Sequence, residues 1–87
     1  MKTPVLFYGE NCVYCKKAKM LINRAVEKHP PYRMLPIRYI CDERDEDGRY
    51  KHTMVPALYC NHKLVFEGNP DMADIQSWLA ECLYDDE

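Results

Sequence analysis

The chain has 87 residues, 47% of them hydrophobic and 30% charged, a composition that fits one soluble globular domain spanning residues 1–87. No apolar run approaches the roughly 20 residues that cross a bilayer, so no membrane partner is expected. The formal net charge is −2, with basic residues spread along the chain, which leaves no electrostatic footprint for nucleic acid.

The chain begins with one basic residue and a short apolar run. It lacks the longer apolar segment and small-residue cleavage site of a signal peptide, so a cytoplasmic location is expected. Pro4-Val5-Leu6-Phe7-Tyr8 is continuously apolar and ends at Gly9, the pattern of a central strand covered on both faces. After Glu10-Asn11, the residues Cys15, Ala18, Leu21, Ile22 and Ala25 recur at helical spacing. Lys16, Lys17, Lys19, Asn23, Arg24 and Glu27 take the opposite side. His29-Pro30-Pro31 ends that helix, because proline has no N–H to donate and restricts the residue before it. Ile37-Arg38-Tyr39-Ile40-Cys41 reads as a second strand, completing a βαβ unit with parallel strands.

Residues 42–54 are polar and without strong period, holding at most a short helix. The acidic run within 42–47 and the acidic tail 85–87 read as solvated surface. Two further strands, Val55-Pro56-Ala57-Leu58-Tyr59-Cys60 and Lys63-Leu64-Val65-Phe66-Glu67, flank Asn61-His62 as a hairpin turn. A last helix follows, with Asn69 as its cap and Pro70 at its first position, and with Met72, Ile75, Leu79, Cys82 and Leu83 along its apolar face. The order is βαβ(α)ββα. It predicts an α/β chain with a four-stranded mixed sheet and a three-layer, thioredoxin-like layout.

Five cysteines is an odd and high number, unlike the even count of a secreted disulfide scaffold. Cys12-Val13-Tyr14-Cys15 stands where a strand hands over to a helix. Disulfide exchange needs a thiolate, and the unpaired N–H groups and positive dipole of a helix N-terminus favour one at Cys12. Lys16 and Lys19 add positive potential and Glu10 opposes it. Cys15, one turn along on the apolar side, is predicted to be more sheltered and within reach, so Cys12 attacks and Cys15 resolves. A zinc site completed by Cys41, Cys60, His52 or His62 is the alternative. It lacks a second close ligand pair, and no metal is expected. Cys41 and Cys82 read as small core hydrophobes, and Cys60, beside the turn, as more exposed.

Phe7-Tyr8-Gly9, Cys12-Val13-Tyr14-Cys15, Met54-Val55-Pro56, and Gly68 with Asp71 together resemble a glutaredoxin over nearly the whole chain. Val13 resembles the variants found in phage-encoded glutaredoxins and in glutaredoxin-like hydrogen donors of ribonucleotide reductase. The resemblance implies a disulfide oxidoreductase that binds no cofactor and uses glutathione as reducing co-substrate. It implies a monomer acting on disulfide-containing client proteins, ribonucleotide reductase among them. It also implies a cis Pro56 facing Cys12, a Val55 backbone that pairs with substrate peptide as an added strand, and a Tyr14 flanking the bound disulfide. Gly68 and Asp71, at the start of the last helix, would hold the γ-glutamyl end of glutathione. The pattern is departed from in three places: Gly9, followed by acidic Glu10, stands where a cation commonly precedes the site, Met54 replaces threonine, and Glu67-Gly68-Asn69 replaces a glycine pair. Arg44, Arg49 or Lys51 would then supply the cation. Two alternatives stay open: recharging by thioredoxin reductase, and a module that binds zinc or an iron–sulfur cluster.

Overall fold

The structure is a computed structural model that describes residues 1–41 and 54–84. Four strands, β1 (Pro4–Tyr8), β2 (Arg38–Cys41), β3 (Ala57–Cys60) and β4 (Lys63–Glu67), form one sheet in the order β2-β1-β3-β4. Helix α1 (Val13–Lys28) crosses from β1 to its parallel neighbour β2, and α2 (Met72–Tyr84) closes the described chain. β3 runs antiparallel to both β1 and β4. The sheet is therefore mixed, as the sequence pattern predicts. No helix among the described residues is long and apolar enough to cross a membrane.

The central place of β1 follows from its composition. Val5, Leu6 and Phe7 are at most 2% exposed, because alternate side chains leave the strand toward opposite faces and both faces are covered. Leu6, Leu58 and Cys60 point into the larger core with Ala18, Leu21, Ile22 and Ala25 of α1 and Ile75, Trp78, Leu79 and Cys82 of α2. Both described helices thus lie on one face. Val5, Phe7, Ala57 and Tyr59 form a second buried cluster on the other face, where Phe7 and Tyr59 meet edge to face with centroids 5.5 Å apart. The expected short helix, the third layer it would supply, the acidic run, the tail and the candidate cations Arg44, Arg49 and Lys51 lie outside the described residues.

Local chemistry sets the joints. α1 stops at His29, whose N–H bonds the Ala25 carbonyl, and Pro30 and Pro31 then open a 3-10 turn (Pro30–Met34) that buries Tyr32. The β3–β4 hairpin turns on Asn61 and His62 as expected. Asn61 takes φ 56°, a conformation asparagine tolerates better than most residues. Its side-chain oxygen accepts the Thr3 N–H at 2.9 Å, and its own N–H bonds the Thr3 carbonyl at 2.8 Å, which ties the turn to the start of β1.

Two sequence expectations are corrected here. The cap of α2 is Asp71, not Asn69: the Asp71 carboxylate accepts the Asp74 N–H at 3.0 Å, and the Asp74 carboxylate accepts the Asp71 N–H at 2.9 Å. This reciprocal arrangement satisfies two N–H groups at once, while the Asn69 side chain is used elsewhere. Cys60, expected near the surface, is 1% exposed and disulfide-bonded to Cys82. Its strand position puts it on the same face as Leu58, and that parity outweighs its nearness to the turn.

Candidate active site

β1 delivers the chain to the site. After Tyr8 the backbone turns through Gly9, Glu10 and Asn11, the last at φ 57°, so that Cys12 arrives in extended geometry (φ −93°, ψ 111°) as the N-cap of α1. Serine, threonine, aspartate and asparagine usually take this position because they offer an oxygen to the helix's unpaired N–H groups. Here a sulfur does so: Cys12 Sγ accepts the Cys15 N–H at 3.1 Å. The Cys12 carbonyl also accepts the Lys16 N–H, at 3.2 Å.

Cys12 and Cys15 are joined as a disulfide with Cα atoms 5.2 Å apart. Their environments differ as the helical spacing predicts. Cys15 is 3% exposed and faces the core, whereas Cys12 is half-buried at the surface. Val13 and Tyr14 between them are 74% and 49% exposed, so apolar surface flanks the accessible sulfur.

The opposite wall comes from the start of β3. The Val55–Pro56 peptide bond is cis, and the Val55 carbonyl oxygen lies 3.9 Å from Cys12 Sγ. Gly9 lies against the same residue: a Cβ at position 9 would stand 3.2 Å from Val55 Cγ2. The lack of a side chain at Gly9, noted above only as a missing cation, therefore has a packing cause. Met54 is 52% exposed at the mouth of this wall. Its terminal methyl sits where a Cβ on Gly68 would fall, 2.9 Å away.

Gly68 and Asp71 have partners within the chain. The Gly68 N–H donates to the Pro56 carbonyl at 3.0 Å, and Gly68 takes φ 106°, which favours glycine. Asp71 caps α2. Its carboxyl is held below the ordinary range first by the backbone N–H of Asp74, then by the Asp74 side chain, the Ala73 N–H and the Lys17 charge, with desolvation opposing. Lys17 reaches across from α1 and donates to the Asn69 side-chain oxygen at 2.9 Å, joining α1 to the segment that leads into α2. Lys19 holds its ammonium over the Tyr8 ring at 4.4 Å and the Tyr39 ring at 5.4 Å.

Of the residues singled out from sequence, Cys12, Cys15, Val55 and Pro56 converge on one sulfur pair. Tyr14 is on its rim, Gly68 is linked through Pro56, and Asp71 stands at the head of the neighbouring helix. Among the described residues no group of three or more His, Cys, Asp or Glu side chains is placed to hold a metal ion. Of the zinc ligands considered, Cys60 is committed to Cys82, and His52 lies outside the described residues. The Gly9–Val55 contact and the Cys60–Cys82 pair escape sequence reasoning. The inward parity of Leu58 and Cys60 was the one signal that pointed to the latter.

A family model described as "Thioredoxin domain" matches residues 1–80. No curated protein and no solved structure gives a significant match to the chain.

Proposed function

The chain belongs to the thioredoxin-domain family, and from the resemblance of its Cys12–Cys15 and Val55–Pro56 motifs to those of glutaredoxins we propose that it is a dithiol oxidoreductase of the glutaredoxin type. Thiol–disulfide exchange at Cys12 and Cys15 is the chemistry common to the family and the site. The observation that carries the proposal is the capping bond at 3.1 Å from the Cys15 N–H to Cys12 Sγ. A donor aimed at that sulfur stabilises it most when it is negative.

The cycle follows with atoms and electrons in balance. The Cys12 thiolate attacks one sulfur of a client disulfide, forms a mixed disulfide and expels one client thiolate. Cys15 gives up its proton and attacks Cys12 Sγ, closing the Cys12–Cys15 bond and expelling the second client thiolate. The client gains two electrons and two protons. Two glutathione molecules return them, the first opening Cys12–Cys15 and the second leaving as oxidised glutathione. Val55, at the cis bond beside Cys12, pairs its backbone with the client strand, and Tyr14 covers the bound disulfide. Gly68 and Asp71 receive the γ-glutamyl end of glutathione. The chain acts as a cytoplasmic monomer, with ribonucleotide reductase among its clients.

A second reading, recharging by thioredoxin reductase, is favoured by three occupied groups. The Gly9 position has no room for a cationic side chain without displacing Val55. The Gly68 N–H and the Asp71 carboxylate also have partners inside the chain. Reduction of a peptide disulfide coupled to glutathione and glutathione reductase, run beside the same assay with thioredoxin reductase, separates the two. Turnover with glutathione supports the first reading, turnover only with the flavoprotein supports the second, and none with either refutes the enzyme. Cys12→Ser abolishes exchange, and Cys15→Ser accumulates a mixed disulfide visible by mass. The reverse pattern would overturn the assignment of roles.

A further inference from the structure

Cys60 and Cys82 form a second cystine in a setting unlike that of the first. Cys60, the last residue of β3, pairs with Pro4 at the start of β1, whereas Cys12 follows the far end of the same strand. Strand geometry separates the two ends of β1 by about 13 Å. The two cystines therefore lie at opposite ends of the sheet, and neither can exchange with the other inside one folded chain.

The far corner is closed from several sides. Cys60 is 1% exposed, and Cys82 and Trp78 are not exposed at all. The Trp78 carbonyl oxygen lies 3.7 Å from Cys60 Sγ. The first residues seal the same corner, because the Lys2 N–H donates to the Cys82 carbonyl at 2.7 Å while Thr3 and Asn61 bond reciprocally. The Cα separation of 5.6 Å sits within the common range for disulfides. Exchange requires a thiolate to reach a disulfide sulfur. Cys12 offers such access and the Cys60–Cys82 sulfurs do not.

We propose that Cys60–Cys82 is a structural disulfide that stays closed while Cys12–Cys15 is reduced and reoxidised. It cross-links β3 to α2 and insulates the fold from the exchange carried out at the other end of the sheet. The same burial sets the order of its formation, which must precede the docking of α2. In the open chain the thiolate of one of the two cysteines attacks a small-molecule or protein disulfide, forming a mixed disulfide and expelling one thiol. The other cysteine attacks that mixed disulfide, closes Cys60–Cys82 and expels the second thiol. Two electrons and two protons pass from the cysteine pair to the disulfide donor.

The test is thiol mapping by mass. The full chain is refolded in a buffer of reduced and oxidised glutathione, treated natively with dithiothreitol, and pulsed with a maleimide at increasing times. Cys12, the half-buried member of the first pair, is expected to label early. The peptides carrying Cys60 and Cys82 remain linked until guanidinium is added, with native labelling at least about 100-fold slower, as for sites that open only on unfolding. A second measurement uses Cys60→Ala/Cys82→Ala, which is expected to keep the rate of Cys12–Cys15 reduction and to unfold at lower urea. Labelling of Cys60 and Cys82 in step with Cys12 would overturn the proposal. So would their recovery as thiols when the refolded chain is denatured in acid and blocked without reductant. Neither readout counts turnover, so the result is decided independently of the catalytic reading.

Discussion

The bond from the Cys15 N–H to Cys12 Sγ can be removed without touching Cys12. In a chain whose resolving thiol is already gone, Cys15→Ala keeps the N–H and Cys15→Pro deletes it. Position 15 lies in the first turn of α1, where proline is tolerated because the N–H it lacks has no partner within the helix. Hydrogen bonds to charged groups contribute about 1.5–3 kcal/mol, which corresponds to roughly a 10- to 150-fold difference in the acid dissociation constant of Cys12. The direction is fixed: the alanine variant holds the thiolate to lower pH than the proline variant.

Ultraviolet absorbance of the thiolate against pH measures this directly, in a Cys41→Ala background so that one thiol titrates. Alkylation at acidic pH provides a second readout with a smaller expected ratio. Nucleophilicity falls with basicity with a slope of about 0.4–0.5, so the same bond appears as only about a 4- to 15-fold rate difference. Far-UV circular dichroism of both variants checks that α1 is intact. Two folded variants with superimposable titrations would refute the view that this N–H activates Cys12. The activation would then rest on the helix dipole alone, worth about 0.3–1 kcal/mol at an exposed terminus.

Three other outcomes follow from the geometry. Gly9→Ala presses a Cβ to 3.2 Å from Val55 Cγ2, so client-disulfide reduction should fall by about three- to tenfold through displacement of the Val55 wall; unchanged kcat/KM would show that the wall does not position substrate. Asp71 has a folded-state carboxyl held below its ordinary value of 3.8, so its contribution is complete above that value and is lost as pH falls through the lower folded one. Asp71→Asn keeps a capping oxygen but removes the charge and its titration, so its urea midpoint should lie below wild type near neutrality and approach it in acid; a constant gap across pH would refute the linkage. Trp78→Phe removes the indole N–H that donates to the Tyr59 carbonyl at 2.9 Å, costing about 0.5–1.5 kcal/mol for the lost bond from a total of about 4–13 kcal/mol for a domain of this size; a urea midpoint within error of wild type would show the bond to be replaced.

What the sequence reveals depends on how far apart the partners are. Cys12 and Cys15 were readable because their relation is local, one turn of a helix that opens after an apolar strand. The hairpin at Asn61 and the stop at Pro30-Pro31 were readable for the same reason. α2 starts two residues later than the sequence pattern predicts, because Asn69, Pro70 and Asp71 all carry N-terminal preferences. The reciprocal bonds between Asp71 and Asp74 decide among them. The apolar face expected for α2 does not include Trp78, which is fully buried. Its indole N–H needs an acceptor, and that acceptor, Tyr59, sits on another element 19 positions away. Cys60–Cys82 was hidden twice, by a separation of 22 residues and by the expectation that a residue next to a turn is exposed.

The two cystines divide the sheet between two requirements that conflict in a chain of 87 residues. Exchange needs a sulfur at the surface, apolar rim residues exposed around it, and a bond that opens and closes at each turnover. A small domain, burying only about 60–65% of its unfolded surface, has little margin to absorb such changes within its core. Here the exchanging sulfur, Cys12, caps α1 from outside its first turn, while β3, α2 and the first residues are locked at the other end by Cys60–Cys82, the Lys2–Cys82 bond and the Thr3–Asn61 pair. Any thiol reductant acts on cystines that its thiolates can reach. A cystine that is exposed only when the chain unfolds is instead reduced at a rate set by unfolding. Burial lets one protein hold a structural disulfide and a working one under the same reductant.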